Sequence, residues 1–168
     1  PLPLRGVAMH QDYLGKGWAI SERETNESLA LVREIGANTL RLAHYPHAPH
    51  TLQRADEMGL VVWAEAAFVD GVRLSCSDQP ATEAFVANVE QQLRELIRQQ
   101  HNHASIATWS IGNENTMTQL RCGGGDNVTP VLRRLHEVAK AEDPGRATTL
   151  ADLSLGGQGW SVAGFEAF

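Results

Sequence analysis

The sequence has few cysteines, no long apolar run and no excess of positive charge. The 168 residues include two cysteines, Cys76 and Cys122, without a CxxC spacing, which favours two unpaired thiols over a disulfide and leaves the compartment open. Apolar runs stay short of the roughly 18 residues that a membrane helix needs. Acidic residues outnumber basic ones by 20 to 14, and the net charge of −6 argues against nucleic acid or an anionic membrane as a partner.

Signals for targeting, nucleotide binding and ester hydrolysis are also missing. The first residues have neither the basic start nor the apolar middle of a signal peptide, and without a Met they suggest a cut from a longer polypeptide. The glycines at 123–125 and 156–159 lack the Gly-x-Gly-x-x-Gly context and are interpreted as flexible loops, so no cofactor is expected. Without a Gly-x-Ser-x-Gly elbow, Ser110 is predicted to be structural.

The chain does contain a regular alternation of strand and helix signals. Short apolar segments alternate with amphipathic ones, such as the helix that begins at a Ser21–Glu24 capping box and ends at Gly36. This order predicts parallel strands joined by helices. A complete barrel of eight such units normally needs about 250 residues, so an open doubly wound sheet and an incomplete barrel are both possible. The predicted strands are Arg5–His10, Thr39–Tyr45, Leu60–Ala66, Ile106–Gly112, Thr148–Leu153 and the start of a sixth at Val162–Phe168.

Polar side chains stand at the ends of four successive predicted strands. The carboxyl ends of parallel strands meet at one edge, where barrel enzymes place their active sites. Glu114, flanked by two amides, is well placed there for acid–base chemistry on a polar substrate, and Asn113 can donate to a sugar hydroxyl. The residues at these strand ends are His10, Arg41 with His44, Glu65, and Asn113 with Glu114.

Glu65 has two interpretations that the residues alone leave open. Two carboxylates at neighbouring strand ends are what glycoside hydrolysis uses, one as an acid and the other as a nucleophile or base. Glu65 could instead be an orienting group tied to an Arg or a His. The tryptophans nearby, Trp63 and Trp109, could pack in the core or stack on a sugar ring. Core packing is the better interpretation of each alone, yet Trp109 is kept among the substrate-binding candidates.

The histidines at His44, His47 and His50 have a spacing that suggests a zinc site, but we reject this interpretation. Pro46 and Pro49 prevent a regular helix from aligning the three rings. No Cys or carboxylate follows at the spacing of zinc ligands. We expect His44 to join the residues at the strand ends instead.

The polar strand ends belong to four longer segments, which are Arg5–Val7 with His10, Gly36–Pro46, Val62–Glu65 and Trp109–Glu114. In this order and spacing they resemble the catalytic barrel of glycoside hydrolase family 2, and most closely its β-galactosidase members. The resemblance extends to about Arg146. It implies a partial (β/α)8 TIM barrel with about the first five to six βα units, and residues 1–168 as the incomplete N-terminal part of a glycosidase catalytic domain.

The resemblance also implies roles for the residues at the strand ends. Glu114 matches the general acid/base of the family and Asn113 the residue that binds the sugar 2-hydroxyl, while His10, Arg41 and His44 match pocket or supporting positions. The implied reaction is retaining double displacement on terminal β-D-galactosides. A related β-glucuronidase or β-mannosidase specificity is one alternative. An alternative of another class is a non-catalytic sugar-binding module or a half barrel completed by a partner.

The sequence departs from the family pattern in three places. Ala8–Gln11 stands where members often have Asn-Arg-His-Glu, which keeps the His but changes its polar neighbours. Val69 and Gly71 stand where some members have a Glu and a His that bind magnesium, so no metal site is expected. The nucleophile of the family is a Glu on the seventh strand, beyond this chain, so the chain alone is expected to be inactive.

Two further expectations concern the remaining carboxylates and the partners. The resemblance gives Glu65 a less direct role, and Asp152 and Glu166 lie in no matching motif. An incomplete barrel exposes strand edges, which favours pairing with another chain or a homo-oligomer. The expected ligand is a β-galactoside or a related oligosaccharide.

Overall fold

The computed structural model describes residues 3–69, 81–115 and 128–152, and strands and helices alternate in this part of the chain. Gly71, Cys76, Cys122, Glu166, both glycine-rich loops and the expected sixth strand lie outside it. No helix in the described part is long and apolar enough to cross a membrane. The strands are β1 Gly6–Met9, β2 Thr39–Leu42, β3 Val61–Glu65, β4 Ile106–Asn113 and β5 Ala147–Ala151, and the helices are α1 Glu22–Glu34, α2 Pro49–Met58, α3 Glu83–Gln100 and α4 Thr129–Glu142.

The five strands form one parallel sheet in the order β1-β2-β3-β4-β5, so every strand lies beside the next one in the chain. An open doubly wound sheet reverses its strand order at a switch point. Here the order does not reverse, and consecutive helices contact each other, α1 with α2 and α3 with α4. This arrangement is part of the wall of a (β/α)8 barrel, which confirms the predicted fold class.

The sheet is apolar on the side of the helices and partly polar on the opposite side. In β2, Leu40 and Leu42 are buried, whereas Arg41 between them is partly exposed; in β3, Val62 is buried and Trp63 is partly exposed. Because side chains alternate along a strand, Arg41 and Trp63 lie on the inner face of the barrel wall. The core between the sheet and the helices includes Leu29, Leu52, Leu93, Ile97, Leu132 and Leu135.

The ends of two helices agree with the sequence signals. At the start of α1, the backbone N–H of Ser21 donates to Glu24 Oε2 at 2.7 Å, as the capping box predicts. The Glu24 side chain is fully buried, and Lys16 Nζ lies 2.7 Å from its other oxygen, which anchors the loop between β1 and α1. Gly36 and Gly59 follow α1 and α2 with φ of 74° and 66°, the left-handed conformation that glycine adopts most easily.

Trp109 lies on the helix side of β4, outside the group of residues at the strand ends. Its side chain is fully buried, its indole N–H donates to Asp143 Oδ2 at 3.0 Å, and the Arg146 guanidinium lies 5.7 Å from the ring centre. Arg146 also donates to Asp143 Oδ2 at 2.6 Å and to the Ile106 carbonyl at 2.7 Å. Trp109 is therefore a core residue, contrary to its place among the substrate-binding candidates.

We expect Asp143→Ala to destabilise the fold by about 2–3 kcal/mol, because a buried indole N–H and a guanidinium both lose their acceptor. For a chain of this size the midpoint Tm should fall by roughly 4–12 °C, measured by thermal unfolding. Glu57→Ala is the matched control, since Glu57 forms an exposed ion pair with Arg54 that is worth less than about 1 kcal/mol. Equal Tm changes in the two variants would contradict a structural role for Asp143.

The effect of Asp143→Ala should depend on pH. Burial raises the pKa of Asp143, but hydrogen bonds from Arg146 and Trp109 outweigh it and hold the pKa below the usual value of about 4. A group whose pKa is lowered by folding contributes stability that is fully present above its unfolded pKa and is lost as the pH falls through its folded pKa. The Tm difference between variant and parent should therefore be largest near neutral pH and shrink below about pH 4.

Candidate active site

Glu65, the last residue of β3, is the centre of the group at the strand ends. Its side chain is fully buried and both carboxylate oxygens are engaged. Arg41 donates from Nε to Oε2 at 2.9 Å and from Nη2 to Oε1 at 3.1 Å. His44 Nδ1 lies 2.7 Å from Oε1, and Ser110 Oγ donates to Oε2 at 3.1 Å. Of the two interpretations of Glu65, this geometry favours the orienting group.

Arg41 connects this carboxylate to the residue beside Glu114. Its Nη2 also donates to Asn113 Oδ1, and its guanidinium lies 5.4 Å from the centre of the Trp63 ring. Because the bond from Arg41 uses the amide oxygen of Asn113, the amide NH2 is the end that can donate to a ligand. The ion pair between Arg41 and Glu65 thus sets the orientation of Asn113.

Glu114 is exposed and lines an open cleft at the end of β4. Its backbone N–H donates to the Ala151 carbonyl at 2.7 Å, which joins it to β5. The cleft has a volume of about 320 Å³, enough for a small polar ligand. An accessible carboxyl group beside a fixed amide is suited to proton transfer on a bound molecule. The lining residues are Arg41, Trp63, Asn113, Glu114, Leu150, Ala151 and Asp152.

His10 and His44 lie beside this cleft and are not among its lining residues. The His10 ring meets the His44 ring edge-on, with 5.0 Å between the ring centres. Tyr45 Oη lies 3.5 Å from His10 Nδ1 and accepts a hydrogen bond from the Gln11 N–H at 3.2 Å. The structure therefore brings both histidines to the predicted edge of the sheet, where they support the residues that line the cleft.

The three histidines of the rejected zinc site have separate partners. His44 belongs to the group around the β3 carboxylate, whereas His47 Nε2 contacts the Ala43 carbonyl at 3.0 Å and His50 Nε2 lies 3.0 Å from Asn26 Oδ1. Burial of the His47 ring lowers its pKa and favours the neutral form. In the part of the chain that the structure describes, no three His, Cys, Asp or Glu side chains are grouped as metal ligands.

Ser110 and Asp152 belong to the site but were not among the predicted site residues. Ser110 was predicted to be structural, and it is a buried residue that donates to Glu65 from the neighbouring strand. The available signal was a serine between two large apolar residues, Trp109 and Ile111, of a buried strand. Asp152 lines the cleft because β5 ends at Ala151 instead of the predicted Leu153, so Asp152 follows the strand directly.

Comparison with known proteins places this geometry in a family. Residues 1–155 match the family model described as Glycosyl hydrolases family 2, TIM barrel domain. The chain belongs to glycoside hydrolase family 2. The matched range includes all five strands and every residue that lines the cleft.

Relatives in family 2 have more than one specificity. A β-glucuronidase from Bacteroides fragilis is 41% identical over 89% of this chain and 21% of its own length. A β-galactosidase from Pseudoalteromonas haloplanktis is 36% identical over 76% of this chain and 12% of its own. Among solved structures, β-glucuronidase 2 from Bacteroides uniformis has a TM-score of 0.76 and 35% identity, covering 90% of this chain and 18% of that one.

These matches confirm the predicted family and barrel fold. The chain spans about a fifth of the length of the Bacteroides fragilis relative, 21%. The predicted β-galactosidase specificity is not confirmed, because a β-glucuronidase matches at higher identity than a β-galactosidase.

Proposed function

We propose that this chain carries the acid/base part of a retaining β-glycosidase site, with Glu114 as the general acid/base. The supporting observation is an accessible Glu114 beside Asn113, whose amide is oriented by the ion pair of Arg41 and Glu65. Glu114 donates a proton to the glycosidic oxygen as the bond to the sugar breaks, and then takes a proton from the incoming water. Asn113 donates a hydrogen bond to a sugar hydroxyl, which keeps the glycosidic oxygen within reach of the Glu114 carboxyl group.

We propose that the nucleophile comes from further residues of a longer polypeptide. The family resemblance implies a nucleophile on a seventh strand, and the described sheet has five. Because β1 and β5 are each paired on one side within the described sheet, additional strands can extend it at either edge. The Bacteroides uniformis β-glucuronidase is covalently bound to cyclophellitol-6-carboxylate aziridine, which supports a covalent step of the kind that double displacement requires.

We propose β-D-glucuronides as the first substrate class and terminal β-D-galactosides as the second. The support is similarity alone, at 41% identity to a β-glucuronidase and 36% to a β-galactosidase. Asn113 is proposed to bind a hydroxyl that both sugars carry. Arg41, a basic residue that lines the cleft, already forms two hydrogen bonds with the Glu65 carboxylate.

The test is hydrolysis by the full-length polypeptide that carries these residues. Its kcat/KM is measured on the p-nitrophenyl β-glycosides of glucuronic acid, galactose and mannose, and NMR identifies the anomer released first. We expect the glucuronide to give the highest kcat/KM, with the β-anomer released first. A higher value on the galactoside would reverse the order of substrates, and release of the α-anomer would exclude a retaining mechanism. Sugar binding without hydrolysis would favour the binding module.

A further inference from the structure

The backbone at Glu114 has a conformation that its own side chain disfavours. Its φ is 51°, and in the described part of the chain every other residue with a positive φ is a glycine. The left-handed region brings Cβ close to the following carbonyl oxygen, so a residue other than glycine needs surrounding contacts to remain there. The neighbours of Glu114 therefore have to hold this segment in place.

One backbone carbonyl holds both neighbours of Glu114. The Phe68 carbonyl, in the segment after β3, accepts from the Asn113 N–H at 2.9 Å and from Asn115 Nδ2 at 3.1 Å. The Phe68 side chain is buried in the hydrophobic core, so its backbone carbonyl is held in place. With the bond from the Glu114 N–H to β5, the turn is tied to the strands on both sides.

The Asn115 side chain occupies a space that exists because residue 112 is a glycine. Asn115 is fully buried, and its side chain lies directly against Gly112. A Cβ at position 112 would lie 2.1 Å from Asn115 Oδ1, a distance that no real contact allows. Gly112 is thus needed for the Asn115 side chain to take its buried position.

We propose that Asn115 is a positioning residue that keeps Glu114 in its left-handed conformation, and hence its carboxyl group at the cleft. This inference rests on the proposed acid/base role of Glu114. Asn115 acts through the backbone, because its Nδ2 ties the residue after Glu114 to the same carbonyl that holds the residue before it. Loss of this donor frees the turn to leave the left-handed region.

The test uses Asn115→Asp and Asn115→Ala in the full-length polypeptide. The Asp variant keeps the volume and removes the donor, so it remains informative if the Ala variant fails to fold. Each is assayed on glycosides of the best sugar with a poor leaving group, methanol, and a good one, 2,4-dinitrophenol. Since a good leaving group needs no protonation, we expect kcat/KM to fall about 10- to 100-fold on the methyl glycoside, with little change on the dinitrophenyl glycoside.

Asn102→Asp and Asn102→Ala are the controls, because Asn102 is an exposed amide after α3 and should change neither rate. Glu114→Gln is assayed with the same pair of substrates. If Glu114→Gln discriminates between the leaving groups and the Asn115 variants do not, the positioning role is overturned and the proposed function stands. If Glu114→Gln does not discriminate either, the proposed function itself fails. An equal loss on both substrates in folded Asn115 variants would reduce Asn115 to a structural residue and overturn the inference.

Discussion

Replacement of Glu114 by glutamine should lower kcat/KM of the full-length polypeptide by about 10²–10⁴ on glycosides with poor leaving groups. Glutamine keeps the shape of the side chain and removes the proton that the departing oxygen needs. In the second step the variant also lacks the base that deprotonates water. Azide needs no deprotonation, so added azide should restore turnover of an activated aryl glycoside and give a glycosyl azide of retained configuration.

The measurement is a series of aryl glycosides whose phenols differ in acidity, assayed with and without azide. Glu95→Gln is the control, since Glu95 is an exposed carboxylate on α3, away from the cleft, and should leave the series unchanged. An equal loss across the whole series would assign the effect to binding or folding. Absence of azide products would remove Glu114 from the role of base.

The part of this site that could be predicted from sequence is the part that regular strands dictate. Buried apolar runs end at Glu65 and near Glu114, and parallel strands bring such ends together at one edge of the sheet. The structure places His10, Arg41 and His44 at this edge for the same reason. The alternation of strands and helices fits both an open doubly wound sheet and an incomplete barrel. The strand order in the structure does not reverse, which favours the barrel wall.

What could not be predicted depends on a local irregularity of β4. Trp109 and Asn113 are four residues apart, so regular alternation puts them on the same face. Trp109 is in regular register with the buried Ala64 of β3 and lies on the same helix side of the sheet. The pairing of β4 with β5 shifts only after it, between Ser110 and Asn113, so Asn113 lies at the cleft instead. In β3 the alternation continues to the end, so Trp63 shares the inner face with Glu65. Of the two tryptophans that could pack in the core or stack on a sugar ring, the cleft therefore contains Trp63 and the core contains Trp109.

The second large effect is expected for Glu65→Ala, which should lower both the stability of the protein and the rate of hydrolysis by the folded fraction. Removing one partner of a buried ion pair leaves a charge without compensation, at a cost of about 3–5 kcal/mol. Arg41 would lose both bonds to Glu65 and would no longer orient Asn113. In the full-length polypeptide we expect the Tm of the barrel to fall in thermal unfolding, and hydrolysis by folded protein below the midpoint to fall at least about 100-fold.

Glu83→Ala is the control that isolates burial, because Glu83 also forms two hydrogen bonds with one arginine, Arg134. The Glu83 side chain is 77% exposed and that of Glu65 is 0% exposed. Water screens the exposed pair, so its loss should lower Tm much less than the loss of Glu65. Equal Tm shifts would show that burial does not set the strength of the pair at Glu65. A large loss of Tm with unchanged activity in the folded fraction would separate Glu65 from the orientation of Asn113.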